Sequence, residues 1–285
     1  MSESPLHSCL AGRHCARRLV VLTLLAVLAI VVGEPAAAGG WRPALSQRFD
    51  LQLTAPFDFG RRVDALVLEL FTTDAERVDR LRERGTVAVC RIAAGLWEGW
   101  RPDAASFPPA LLGRSPGSSR AEKLVDVRGA ALRRIMEQRL NLCRDRGFGG
   151  VLFTDVDGYA QASGFALTPQ DQLAFNRWLA EAAHARGLAV GIWNDLAQAH
   201  ELAPAFDFLV ADGCAAAGDC GGVRPYLAAG KAVFLVAYTH LPQRMDAYCA
   251  VAARIGVSLI LKTQSLNGKL HRRCGWGHKR AQSVG

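Results

Sequence analysis

The chain has 285 residues, 50% of them hydrophobic and 21% charged, which excludes a disordered chain and is ample for one large core within the usual span of a single α/β barrel. The formal net charge is +8. No nucleic-acid-binding module and no basic stripe with interleaved aromatics accompanies that charge, so nucleic acid is not an expected partner.

At the start of the chain, Arg13, Arg17 and Arg18 precede the apolar run LVVLTLLAVLAIVVG, and EPAAAGG follows with small residues suited to cleavage after Ala38. This is the layout of a secretory signal peptide over residues 1–38, and it predicts a secreted or periplasmic protein. An uncleaved N-terminal anchor is the competing reading; no second segment is apolar for long enough to span a bilayer, so no membrane span is expected after cleavage. Loss of the leader removes those three arginines with Glu3 and Glu34, leaving a net charge of +7.

Beyond the leader, apolar segments of strand length occur at FDLQL (49–53), VDALVLELF (63–71), TVAVCRIAA (86–94), GVLFTD (150–155), LAVGIWND (188–195), FDFLVAD (206–212), AVFLVAY (232–238) and VSLILK (257–262). Amphipathic helix patterns lie between most of them, at DAERVDRLRERG (74–85), RGAALRRIMEQRLNLCRDRG (128–147) and TPQDQLAFNRWLAEAAHARG (168–187). Leu132, Ile135, Met136, Arg139, Leu140 and Cys143 form one helical stripe. Thr168 with Pro169 starts a helix, and Gly147 and Gly187 stop helices just before strands. Eight strands alternating with helices predict a single-domain (β/α)8 TIM barrel over residues 39–265. An open doubly wound sheet is the alternative, but no G-x-G-x-x-G turn supports a dinucleotide site. One long insertion, residues 98–128, falls on the side where catalytic loops gather. A basic tail, residues 266–285, closes the chain; from Asn267 onward it holds five Lys or Arg and no acid, so about +2 remains on the body. Such a tail suits an anionic glycan or lipid surface, or is simply solvated.

Of eight cysteines, Cys9 and Cys15 fall in the leader, leaving Cys90, Cys143, Cys214, Cys220, Cys249 and Cys274. An even number in an exported chain predicts disulfides, with Cys214 and Cys220 the favoured pair across CAAAGDC. No C-x-x-C pair or histidine-rich cluster points to zinc, and no cofactor is expected. His184, His200 and His240 are scattered, with no serine nucleophile motif to recruit them.

The fourth strand runs into Thr154, Asp155 and Asp157 beside Gly158, which in a barrel delivers polar groups to the face that carries active sites. Together, WEGWRPDAASFPPALLG, VDVR, VDGYAQASGFALTPQDQLAFNRWLAEAAHARGLAVGIWND, FDF and AAGKAVFLVAY resemble the endo-α-1,4-polygalactosaminidases of glycoside hydrolase family 114, from Trp41 to about Leu261. The resemblance implies a secreted barrel that cleaves α-linked galactosamine-containing polysaccharide through two carboxyl groups. One carboxyl must protonate the leaving oxygen while the other acts as nucleophile or base.

Against the family pattern, close to G-V-E-P-D-N-V-D-G-Y, GVLFTDVDGY places Leu152 at the glutamate, Thr154 at the catalytic aspartate and Asp155 at the asparagine. Alternation along a strand points Asp155 away from the face used by Thr154, unless the strand has ended there. On the sixth strand the pattern N-E-Q-C meets Ala211, Asp212 and Gly213 before Cys214, so the acid is kept with one methylene fewer. Family tyrosine and serine positions after the third strand meet Arg91, Ala93 and Leu96, and family acids on the second meet Val67 and Glu69. The lysine before Asn194 becomes Trp193, and a glutamate after the seventh strand becomes Ala237.

The expected catalytic pair is therefore Asp212 with Asp155 or Asp157, and the expected substrate contacts are Trp97, Trp100, Asp103, Tyr159, Trp193, Asn194 and Tyr238. Each has a structural counterpart: the tryptophans as packing, Asp157 as a turn former, Asp103 and the Asp126–Arg128 pair as ion pairs, and Asp195 as a helix cap. The lost acids predict a neutral or anionic polysaccharide rather than a strongly cationic one. A monomeric glycosidase with a remodelled site is the first reading, and a catalytically inactive barrel that binds glycan or a protein partner is the alternative.

Overall fold

The computed structural model describes residues 40–241 and 243–274; the expected leader and the tail beyond Cys274 lie outside them. Eight parallel strands, β1 (Phe49–Gln52), β2 (Ala65–Glu69), β3 (Val87–Ala93), β6 (Gly150–Thr154), β7 (Ala189–Trp193), β8 (Phe208–Asp212), β9 (Ala232–Tyr238) and β10 (Ser258–Lys262), follow one another in that order around a curled sheet. All eight coincide with the segments expected from sequence. Between β3 and β6, the insertion folds into an antiparallel hairpin of β4 (Leu96–Glu98) and β5 (Glu122–Leu124). These strands are only three residues each and carry no apolar run, so nothing in the sequence pattern marks them as strands.

The first and eighth barrel strands meet across a seam. Ser258 Oγ donates to Gln47 O at 3.1 Å, and Lys262 Nζ pairs with Asp50 Oδ1 at 2.7 Å with both side chains fully buried. The seam is where the expected tail departs from the sequence reading: residues 266–274 are built into the barrel. Leu53 N donates to Leu266 O at 2.7 Å, β11 (Arg272–Arg273) pairs antiparallel with β10, and Cys274 is bonded to Cys249. The segment thereby satisfies backbone groups on the free edge of β10 and the Leu53 amide just after β1. Two further disulfides join Cys90 to Cys143 and, as expected, Cys214 to Cys220.

Helices α1 (Ala75–Glu83), α2 (Ala130–Asp145), α3 (Pro169–His184), α4 (Ala199–Leu202), α5 (Cys214–Ala217), α6 (Arg224–Ala228) and α7 (Met245–Ile255) cover the outside. Asp74 caps α1 through the Arg77 amide, and α3 opens with a Thr168–Asp171 capping box and Pro169 in its first turn. The alternation along each strand sorts the core into two layers. Leu51, Val67, Val89, Leu152, Phe208 and Phe234 fill the barrel interior, while Leu68, Cys90, Phe153 and Leu209 pack outward against Leu132, Met136, Phe175 and Leu179 of the helices. This inner layer ends at the carboxyl ends of the strands, where the buried residues turn polar: Glu69, Thr154 and Lys262.

Candidate active site

At that end of the barrel lies a cavity of about 260 Å³ lined by Leu53, Arg91, Thr154, Asp155, Asp157, Trp193, Asn194 and Leu266. Asp155 reaches it by a backbone device. β6 stops at Thr154, and Asp155 takes a left-handed conformation, φ 61°, which breaks the alternation that would have turned its side chain away. Its carboxylate comes back beside Thr154: Oδ2 accepts from Thr154 Oγ1 at 2.6 Å and from Arg91 Nη2 at 3.2 Å. Gly95 makes room for the bend, since a Cβ there would lie 1.7 Å from the Asp155 carbonyl oxygen. Burial pushes the Asp155 carboxyl above its ordinary range, against the opposing pull of Arg91 and Thr154.

Arg91, in the third barrel strand, is a hub. Besides Asp155 it donates to Thr154 Oγ1 at 3.0 Å, Glu98 Oε1 at 2.9 Å and Glu69 Oε2 at 3.3 Å. Arg101 of the insertion completes the network with Glu98 at 2.7 Å and Glu69 at 2.7 Å. Burial works against the Arg91 charge, but Glu98, Asp155 and Glu69 outweigh it and keep the guanidinium protonated. For Glu98 burial is likewise overcome, by its bonds from Arg101 and Arg91, and its carboxyl sits below the ordinary range. In the sequence alone Arg91 and Glu69 stand out only as departures from the family pattern, and nothing joins them into a network. The available signal was a charged residue inside or ending an otherwise apolar strand, in VLE and VCRIA.

Asp212 ends β8 and is held from two sides. Asn194 Nδ2 donates to its Oδ1 at 2.7 Å while its own backbone amide donates to Asn194 Oδ1 at 3.0 Å, and Tyr238 OH donates to its Oδ2 at 2.9 Å. Burial first, then the Asp212 charge, raises the Tyr238 phenol, so it remains a donor. Asn194 and Asp195 are both left-handed, φ 61° and 49°. Together with Asp155 and Leu266, they are the left-handed residues other than glycine among the described residues, and all four sit at or next to the cavity.

The other expected contacts divide. Asp157, Trp193 and Asn194 line the cavity; Asp157 also accepts from Gln161 Nε2 at 2.9 Å. Tyr159 stands behind it, donating to Asp195 Oδ1 at 3.2 Å. Trp97, Trp100 and Asp103 do not line it. The Trp97 indole donates to Ala104 O at 3.1 Å within the insertion, Asp103 is committed to Arg139 through contacts of 2.7 and 3.0 Å, and Trp100 is 54% exposed on the insertion's surface. Asp195 does not cap the following turn with its side chain. It is 4% exposed and accepts from Tyr159 and from Asn176 Nδ2 at 3.0 Å.

Among the described residues no group of three or more His, Cys, Asp or Glu is arranged to hold a metal ion. The acids of the mouth are instead bridged in part by arginine. Glu69 and Glu98 are buried and paired with Arg91 and Arg101, and Asp155 with Arg91, whereas Asp157 is bonded by Gln161 and Asp212 by Asn194 and Tyr238.

A curled (β/α)8 barrel with carboxyl groups at the carboxyl ends of its fourth and sixth strands has the architecture of a glycosidase. The chain matches Glycoside-hydrolase family GH114 over residues 33–277 and belongs to that family. Among solved structures, Ega3 of Aspergillus fumigatus in complex with galactosamine is 27% identical with a TM-score of 0.77, the match covering 85% of this chain and 100% of that one. The glycoside hydrolase domain of PelA from Pseudomonas aeruginosa, 19% identical with a TM-score of 0.60 over 79% of this chain and 96% of that one, shares the fold. No curated protein matches.

Proposed function

We propose that this protein is an exported glycosidase that hydrolyses galactosamine-containing polysaccharide with a relocated acid pair, Asp155 and Asp212. The observation that carries the reading is the left-handed bend at Asp155, which brings a carboxyl group to the mouth one position after the place where the resemblance sets the catalytic aspartate. Asp155, with its carboxyl raised by burial, is suited to hold the proton that goes to the leaving oxygen. Asp212, oriented by Asn194 and Tyr238, is suited to act on the anomeric carbon, directly or through water. Trp193 at the cavity wall offers an apolar face for a sugar ring.

Asp157 at the cavity wall and Asp212 at the end of β8, bonded by Gln161, Asn194 and Tyr238 rather than by arginine, weigh against the neutral or anionic substrate expected from sequence and favour an amino sugar, as does the galactosamine held by Ega3. Three disulfides among the described residues support an oxidising compartment. One observation favours a silent binding barrel instead: Arg91 already bonds the Asp155 carboxylate.

The two readings separate in a hydrolysis panel of α-linked amino-sugar and neutral polysaccharides, run on the exported chain, Asp212→Asn and Thr154→Asp. Turnover by the wild type that Asp212→Asn abolishes supports the relocated pair. Silence in the wild type with activity appearing in Thr154→Asp sinks it in favour of the binding barrel.

A further inference from the structure

Asp195 is a buried acid that the proposed chemistry does not use. It sits between the supports of the two catalytic carboxyls. On one side, Asn176 donates through the same amide nitrogen to Val156 O at 2.9 Å and to Asp195 Oδ2 at 3.0 Å, and Tyr159 donates to Asp195 Oδ1 at 3.2 Å. Val156 and Tyr159 belong to the loop that begins at Asp155. On the other side, Asp195 ends the two-residue left-handed turn whose first member, Asn194, exchanges two hydrogen bonds with Asp212. Gln172 Nε2 in turn holds the Asn176 oxygen at 2.9 Å, with both side chains fully buried.

We propose that Asp195 is a positioning residue: its carboxylate ties the loop carrying Asp155 to the turn that aims Asn194 at Asp212, and so fixes how the two acids face each other. The catalytic consequence rests on the glycosidase reading; the tie itself does not. A side chain in the left-handed region is strained unless its surroundings hold it. Two such residues in succession, one bonded to Asp212 and the other bonded twice to α3 and the preceding loop, are held by these bonds. An ionised carboxylate accepts from both Tyr159 and Asn176, whereas protonation removes acceptor capacity from one oxygen and puts a donor there.

The charge state of the tie changes near neutrality. Burial, with added repulsion from Asp157 and Glu201, pushes the Asp195 carboxyl up to about 7 against the bonds from Tyr159 and Asn176. Tyr159, pushed up to about 12, and Tyr226, raised by burial and by Asp195, are neutral in this range. The tie is therefore complete above about pH 7 and loosened below it.

The test is a pH titration of the full chain followed by NMR of carbon-13-labelled aspartate and of the Trp193 indole, which directly precedes the turn, in the wild type, Asp155→Asn and Asp195→Asn. One aspartate titrating near neutrality, lost in Asp195→Asn but kept in Asp155→Asn, with the Trp193 signal moving at the same midpoint, is the expected result. No such titration, or a Trp193 signal that ignores it, overturns the proposal whatever the enzyme hydrolyses. On the amino-sugar polymer, Asp195→Asn is expected to lower kcat roughly tenfold with KM little changed and to lose the near-neutral limb of the pH–rate profile. A uniform loss with the profile intact would make Asp195 merely structural. A chain inactive on every polymer removes the glycosidase reading and leaves the NMR result to decide this one.

Discussion

The ends of the fourth and sixth barrel strands present the same chemical group by different means. At β8 the acid stays in register: Asp212 is the last strand residue and is oriented by neighbours on the two adjoining strand ends, Asn194 and Tyr238. At β6 the in-register position is Thr154, and the acid comes from the next residue through a left-handed bend. Alternation decides where a side chain points only while the strand lasts. One residue past its end, a change in φ redirects the side chain, at a strain cost of order 1–3 kcal/mol.

If both ends carry a working acid, both should fail when neutralised, and unequally. Asp212→Asn removes the group that attacks or activates water, and kcat is expected to fall by roughly a thousandfold or more. Asp155→Asn removes the proton donor and is expected to cost roughly a hundredfold. Its pH profile gives the sign. An acid must be protonated to act, so wild-type rate should fall as pH rises through the raised pKa of Asp155, and that limb should vanish in the variant. Equal activity of Asp155→Asn and wild type at every pH would show that the bend delivers nothing to catalysis.

A smaller effect probes the bend without substituting either acid. Gly95→Ala puts a methyl into the Asp155 carbonyl, 1.7 Å from its oxygen, so the backbone of one or the other must move. Overpacking of this kind costs roughly 1–3 kcal/mol, and displacement of the carboxyl by about an ångström should lower kcat by roughly ten- to a hundredfold. Nothing of this kind should disturb Asp212. Calorimetry and kinetics on Gly95→Ala sharpen the contrast if melting temperature and kcat both fall, and blunt it if only stability does.

The same contrast explains what the sequence allowed to be read. The eight strands were legible because parallel barrel strands are buried on both faces and appear as unbroken apolar runs, as in AVFLVAY, with glycine stops such as Gly187 ahead of the next strand. Asp212 was legible because a strand register carries it. The orientation of Asp155 was not, because it depends on the approach of Gly95 from the bend between β3 and β4, a contact between residues far apart in the chain. Trp97, Trp100 and Asp103 matched the family motif as residue types, but their partners were not legible: Asp103 found Arg139 on α2, and Trp97 found the carbonyl of Ala104. The arginine hub was hidden for a related reason. A charge inside or ending an apolar strand looks like a surface residue until opposite charges from neighbouring strands and the insertion are seen around it.

The smallest effect concerns the link between the two ends, and its sign is opposite to intuition about a conserving contact. Asp195 is raised from 3.8 to about 7 on folding, with burial the largest cause. The folded state therefore binds the proton more tightly than the unfolded chain, and the stability this gives is fully present below about pH 4 and is lost as pH rises towards 7. Asp195→Asn, which never ionises, should escape that loss. Denaturant melts at about pH 8 should find the variant roughly 1–3 kcal/mol more stable than the wild type, less than the full linkage value because its amide cannot accept both bonds, with the gap closing towards about pH 4. A variant less stable at every pH would mean that the ionised Asp195 strengthens the fold. A more stable variant that is also slower would mean that the chain keeps a buried charge at the expense of stability, to hold two strand ends, one in register and one bent, at a working separation.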